Sequence, residues 1–226
     1  MGKRAYVENY GCTSNRFDLG IIIAYLRLAG YGLTKDSTIA DIFLVNTCGV
    51  KKPTEDRILN RLRAMESLGK PVIITGCLPR INLEAIQRAI PDYSAILDPN
   101  SLDKIPLVLM MPENSRMSRL FFSDRSKNKL ELPRTRLDNL VEIVQVAEGC
   151  LGCCSFCCTR FARGRLSSYP PETIVERVGK AVNEGAKEVW LTGQDTGAYG
   201  FDMGSNLWEL LGRVCAIEGE FFVRIG

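Results

Sequence analysis

The chain contains no histidine. That absence excludes Cys/His zinc sites, Ser-His-Asp triads and every mechanism in which imidazole moves a proton near neutral pH. Long apolar runs are also missing. No stretch approaches the roughly 18 residues needed to cross a bilayer, and Met1 to Asn9 lacks the apolar segment of a secretory leader, so a cytoplasmic protein is expected. A large charge imbalance is absent too: 29 Lys and Arg stand against 26 Asp and Glu. Any affinity for anions must therefore be local. With 46% hydrophobic and 24% charged residues over 226 positions, the composition suits one or two ordinary globular cores.

Cysteine is plentiful, with nine in the chain. An odd count in a cytosolic setting argues against a disulfide framework and for metal ligation by thiolates. Charge is also concentrated: residues 116–165 hold ten Lys or Arg against five Asp or Glu. Arg116, Arg119, Arg125, Lys127, Lys129, Arg134 and Arg136 precede the densest cysteine cluster, and Arg160, Arg163 and Arg165 follow it. This arrangement would suit a phosphate backbone brought to a reaction centre, with solvated surface charge as the plainer alternative for any one residue.

The first hundred residues read as alternating strands and helices. Strands are expected at 5–8, 42–46, 72–75 and 95–97, and helices at 15–29, 53–68 and 81–90, the first ended by Gly30 and the last by Pro91. Such alternation implies a parallel sheet with helices on both faces, a doubly wound α/β fold. After Leu107 the periodicity fades. Residues 109–136 read as a linker whose end, 130–136, could pair as an edge strand limited by Pro133. A new series then begins, with strands at 141–147, 188–192 and 221–225 and helices at 171–184 and 207–217. A full barrel of such units takes about 200 to 250 residues, and only about ninety follow Arg136. The expected organisation is an α/β domain at 1–108, the linker, and an incomplete (β/α) barrel at 137–226. The last strand of that barrel would be open to self-association.

The segment EGCLGCCSFCCTRFARGR, Glu148 to Arg165, holds five cysteines. Only Cys150, Cys154 and Cys157 have successive spacings of four and three residues. Three thiolates from one loop can hold three corners of a four-iron cluster and leave the fourth iron open. A zinc knot from Cys150/Cys153 and Cys154/Cys157 is disfavoured, because those pairs abut without the usual intervening residues. Cys153, Cys158 and Cys215 read as ordinary small residues. Cys12, Cys48 and Cys77 each follow one of the first three strands. Parallel strands bring their carboxyl ends to one sheet edge, so these three thiols are expected to converge and could hold a second cluster.

At this point the chain resembles a family. Cys150, Cys154 and Cys157, with Phe156 before the last, resemble the cluster loop of the radical S-adenosylmethionine superfamily. There the open iron binds the cofactor's amino and carboxylate groups, and the sulfonium is cleaved reductively to a 5'-deoxyadenosyl radical. An amino-terminal domain carrying the second cysteine triad resembles the methylthiotransferases. TRFARGRLSSYPPE and WLTGQDTGAYG look most like the archaeal and eukaryotic branch that acts on threonylcarbamoyladenosine beside the tRNA anticodon. The resemblance implies two 4Fe-4S clusters on Cys12, Cys48 and Cys77 and on Cys150, Cys154 and Cys157. It implies S-adenosylmethionine as methyl donor and radical source, tRNA as substrate, an electron donor such as a flavodoxin or ferredoxin, and a 2-methylthio product. Phe156, Gly193, Gln194 and Asp195 are candidates for cofactor contact, with a simple turn as the alternative for the last three. Arg134, Arg136, Arg160, Arg163 and Arg165 are candidates for RNA phosphate or the threonylcarbamoyl carboxylate. Asn15 and Asn46 would cap helices or orient a cluster, capping being favoured. Competing readings are a methylthiotransferase for a ribosomal protein side chain and a non-catalytic iron-sulfur or zinc scaffold.

Overall fold

The computed structural model describes residues 2–111, 119–124 and 128–226. Arg116, Arg125 and Lys127, counted above in the basic stretch, lie outside them. Chain order in the first half is β1 (Arg4–Asn9), α1 (Thr13–Leu28), β2 (Gly32–Thr34), β3 (Ile42–Thr47), α2 (Lys52–Glu66), β4 (Val72–Gly76), α3 (Leu78–Ile81), α4 (Leu83–Ala89), β5 (Ala95–Leu97), α5 (Ile105–Met110) and β6 (Leu120–Phe121). The six strands form one parallel sheet in the order β2-β1-β3-β4-β5-β6.

Strand alternation explains the two cores. In β3, Phe43 and Val45 join Ile58 and Leu62 of α2 and Ile86 of α4. Leu44 faces the other way, into a cluster with Phe17, Ile21 and Leu26 of α1 and Ile105 and Val108 of α5. Helices therefore cover both faces and the sheet is doubly wound. α1 has a second neighbour. Ile143, Val141 and Trp190 of the following sheet pack into the same cluster. Burial between two sheets explains why FDLGIIIAYL has almost no polar stripe.

The second half runs β7 (Val141–Gln145), β8 (Ala147–Glu148), α6 (Thr159–Arg163), β9 (Ser167–Ser168), α7 (Pro171–Asn183), β10 (Glu188–Thr192), α8 (Leu207–Cys215) and β11 (Phe222–Ile225). β7, β10 and β11 form a parallel sheet in the order β11-β10-β7. Ile174, Val178, Leu210 and Val214 of α7 and α8 pack on Val144, Val189 and Leu191. These are successive βα units, the repeat from which barrels are built. The antiparallel β8-β9 ribbon brackets the cysteine loop.

Several elements depart from the sequence reading. The expected helix 81–90 is two helices, broken at Asn82, whose side chain accepts from Ala85 N and caps α4. β2, α5 and β6 are additional, and β6 puts residues read as linker into the first sheet. The expected edge strand at 130–136 is instead a single 3-10 turn, Lys129–Glu131. Its geometry follows from Lys129, whose ammonium is drawn between the carboxylates of Asp18 and Glu148.

Candidate functional site

Three loops at the carboxyl ends of β1, β3 and β4 carry Cys12, Cys48 and Cys77. The strand order reverses between β1 and β3, which makes the crevice beside Cys12 and Cys48 the topological switch point. Backbone approach here is very close. Gly11 has φ 110°, and a Cβ on it would stand 3.0 Å from Cys48 Cβ. Gly76 has φ 95°, and its Cβ would stand 2.2 Å from the Thr47 carbonyl oxygen. Only glycine accepts both constraints.

Asn15, in the first turn of α1, ties the loops together. Its Nδ2 donates to Tyr10 O at 2.6 Å and Thr47 O at 2.9 Å, and Cys77 Sγ lies 3.9 Å from its Oδ1 as donor. Cys77 N also donates to Thr47 O at 3.0 Å. The three cysteine-bearing loops thus meet on one buried amide. Cys12 is exposed, whereas Cys48 and Cys77 are buried. Burial pushes the Cys77 thiol up to about 11, with the nearby Arg163 guanidinium opposing the shift.

The second cysteine loop begins where Gly149, at φ 71°, passes so close to Arg165 that a Cβ would stand 2.1 Å from its carbonyl oxygen. Gly149 N donates to Gln194 Oε1 at 2.7 Å, and Cys150 N donates to Gly164 O at 3.2 Å. Gly152 N donates to Cys150 Sγ at 3.2 Å. The sulfurs of Cys150 and Cys154 lie 3.3 and 3.8 Å from the point where a Gly152 Cβ would stand, so both face one spot. The Thr159 hydroxyl and amide hold the Cys157 thiol below its ordinary range. Phe156 and Phe161 project outward, 90% and 75% exposed. Cys158, read as incidental, donates to Gly49 O at 3.3 Å and joins this loop to the one carrying Cys48.

Between the two sets of thiols lies a buried ionic group. Arg163 donates to both Glu148 carboxylate oxygens, to Asp18 Oδ2 at 2.8 Å and to Asn15 Oδ1 at 2.7 Å. Lys129 completes it on Asp18 and Glu148. Burial alone would raise the Asp18 carboxyl, but Lys129 and Arg163 outweigh it and hold the group below its usual range. Sequence reasoning missed this cluster. Its signals were an aspartate inside the apolar run of α1 and a glutamate closing an apolar strand.

Some of the expected roles are corrected by these positions. Arg163 is 2% exposed and paired internally, so it does not meet RNA. Arg134 is also taken inside, against Glu142 and over the Phe17 ring at 4.4 Å. Burial lowers its pKa to about 10 although Glu142 opposes the shift. Arg136 binds the carbonyls of Ala181 and Glu184 at the end of α7. Arg165 is exposed, and Arg160 reaches back toward Gly152 O at 3.4 Å. Gln194 bridges Gly149 N and Ser14 Oγ rather than standing free, while Asp195 is exposed beside Gly193. Asn15 and Asn46 do not cap helices: Asn46 donates to Asn9 Oδ1 and Asn15 O, and α1 starts on Cys12.

Among the described residues no three His, Cys, Asp or Glu side chains lie close enough to hold a single metal ion. A tetrahedral zinc needs all its thiolates about 2.3 Å from one centre. An iron-sulfur cluster takes each thiolate on a different iron, so it fits more widely spaced sulfurs. The donors are all thiol, one loop supplies an amide donor to sulfur, and no imidazole competes, which suits such a cluster. Gln145, at the carboxyl end of β7, is fully buried, with neither amide atom hydrogen-bonded. Such a side chain calls for a polar ligand nearby.

Residues 4–98 match the uncharacterized protein family UPF0004. A probable threonylcarbamoyladenosine tRNA methylthiotransferase of Pyrococcus abyssi is 44% identical over 99% of this chain and 52% of its own length. The threonylcarbamoyladenosine tRNA methylthiotransferase of Danio rerio is 38% identical over 94% of this chain and 39% of its own length. The chain thus spans about half the length, or less, of these curated relatives. In fold it is similar to TsrM, a radical S-adenosylmethionine methyltransferase from Kitasatospora setae solved with cobalamin and a [4Fe-4S] cluster. The TM-score is 0.60 at 11% identity, over 94% of this chain and 52% of that one. Over nearly its whole length, therefore, the chain is similar to about half of the threonylcarbamoyladenosine tRNA methylthiotransferases named above, with the UPF0004 match at residues 4–98.

Proposed function

We propose that the chain is the cluster-bearing part of a tRNA methylthiotransferase that converts threonylcarbamoyladenosine to its 2-methylthio derivative. The observation that supports this reading is that the loops bearing Cys12, Cys48 and Cys77 adjoin the loop bearing Cys150, Cys154 and Cys157, tied to it through Cys158, Gln194 and Arg163. Cys150, Cys154 and Cys157 would hold one 4Fe-4S cluster, and Cys12, Cys48 and Cys77 a second. When bound, these groups and S-adenosylmethionine supply radical and sulfur-transfer chemistry.

The residues of the chain have narrower tasks. Asn15 and Gly76 fix the strand-end loops, and the Gly152 amide donates a hydrogen bond that orients the Cys150 sulfur. Gln145 offers an unmet amide on the barrel face opposite Val144 and Val146, next to the cysteine loop. Phe156, Gly193 and Asp195 line the approach from that loop and the end of β10, and Arg160 and Arg165 remain for tRNA phosphate. A low-potential flavodoxin or ferredoxin would supply electrons. An aromatic C–H has no acidic proton, so a site without histidine loses nothing for this substrate.

The reading is tested with anaerobically reconstituted protein, reductant, S-adenosylmethionine and tRNA bearing the threonylcarbamoyl group. Two outcomes are expected: the reduced cluster's electron paramagnetic resonance changes when S-adenosylmethionine is added, and nucleoside mass spectrometry finds the methylthio product. The Cys150→Ala/Cys154→Ala/Cys157→Ala variant should lose both. A spectrum indifferent to S-adenosylmethionine would contradict the assignment of Cys150, Cys154 and Cys157.

A further inference from the structure

We infer that Arg163 is a positioning residue that couples the two cysteine sites, acting through Asn15. The inference rests on the function proposed above, but its geometry stands independently. Arg163 closes the short helix α6, six residues beyond Cys157, yet its guanidinium is buried against α1 of the other domain. Each edge of the fork has a partner. Nη1 engages Glu148, two residues before Cys150, and Nη2 engages Asp18 and Asn15 Oδ1. Asn15 uses its remaining donors on the carbonyls of Tyr10 and Thr47, and its Oδ1 is also the acceptor nearest Cys77 Sγ.

Two consequences follow. First, the orientation of the Asn15 amide is fixed by Arg163: with Nη2 on Oδ1, the NH2 group must face the two carbonyls. A flip would put the Oδ1 lone pairs against Tyr10 O and Thr47 O. Second, Arg163 joins Glu148, before Cys150, to Asn15, whose amide in turn holds Tyr10 and Thr47, before Cys12 and Cys48. A shift of the 150–157 loop is therefore passed to the strand-end loops through one rigid, bidentate group. Lysine cannot reproduce it, because a point charge can hold the carboxylates but has no second planar edge for Asn15. Lys129 already supplies the other positive charge on Asp18 and Glu148, so charge balance alone does not require an arginine at 163.

The test uses the full chain, in which Arg163→Lys, Asn15→Ala and the double variant are compared with the parent. Two readouts are taken: iron retained at Cys12, Cys48 and Cys77 in a Cys150→Ala/Cys154→Ala/Cys157→Ala background, and alkylation rates of Cys48 and Cys77 in metal-free protein, followed by mass spectrometry. Thermal melting checks folding in each case. Arg163→Lys and Asn15→Ala should each speed alkylation of Cys77 by about fivefold or more and lower retained iron by half or more. The double variant should be no worse than Asn15→Ala alone, the signature of one residue acting through the other. Additive effects, or alkylation unchanged in Arg163→Lys, would overturn the inference. Failure of the parent to bind iron at these cysteines would overturn the proposed function instead, and the alkylation rates would still decide the coupling.

Discussion

Asp18 shows how a single side chain can tie elements of two sheets together. It is fully buried, accepts from both Lys129 and Arg163, and its carboxyl is held below the ordinary range. A depressed folded-state pKa means stability that is fully present above the unfolded value, near 4, and lost as pH falls through the lower folded one. Acid unfolding should therefore steepen below about pH 4. Asp18→Asn should cost about 3–5 kcal/mol at neutral pH, because it leaves two buried cations to share the single Glu148 carboxylate, and should flatten the acid limb. Urea titrations at several pH values check both. At Gly76 the constraint is steric. Gly76→Ala should cost at least about 1–3 kcal/mol from positive φ alone, since the added Cβ also meets the backbone of Thr47. The cysteines were legible at this scale because their spacing and their places after strands are sequence properties. The ionic group was not: pairing of Asp18 with Arg163 spans 145 residues, and sequence charge alone made Arg163 and Arg134 look like surface.

At the scale of elements, α1 is the piece on which both sheets rest. Its sequence revealed a helix but not its two-sided burial, which needs the second sheet beside it. Gly20 marks the crossing point of residues 134 and 135: a Cβ there would stand 2.7 Å from Thr135 O. Glycine to alanine inside a helix ordinarily stabilises by roughly 0.5–1 kcal/mol. Here the sign should reverse, and Gly20→Ala should lower the melting temperature. A rise would mean that residues 134–135 do not hold against α1. The long buried strands β3 and β4 were readable from their apolar runs, whereas β2 and β6, at three and two residues, carry too little pattern to be seen. The linker reading did not include β6 for a related reason, since that strand is fixed by pairing with β5 rather than by its own composition.

For the molecule as a whole, the doubly wound sheet, the barrel units and the two cysteine sets were all present in the sequence as repeats. What the repeats could not give was the packing of the second sheet on α1 and the buried contacts of Lys129 and Arg163. One exposed feature follows from the topology. β11 pairs only with β10 among the described residues, and Phe222 is 80% exposed. An apolar edge of this kind promotes pairing between copies. Sedimentation should show concentration-dependent self-association that Phe222→Lys reduces, and an unchanged sedimentation profile would remove that surface from consideration.

The central claim is that the chain carries two separate three-thiolate sites, and iron counting with Mössbauer spectroscopy after anaerobic reconstitution tests it most directly. The parent should hold about eight irons in two cubane-type environments. Cys12→Ala/Cys48→Ala/Cys77→Ala and Cys150→Ala/Cys154→Ala/Cys157→Ala should each hold about four, with complementary spectra. A parent that never exceeds about four irons, or a triple variant that loses all of its iron while remaining folded, would contradict the account.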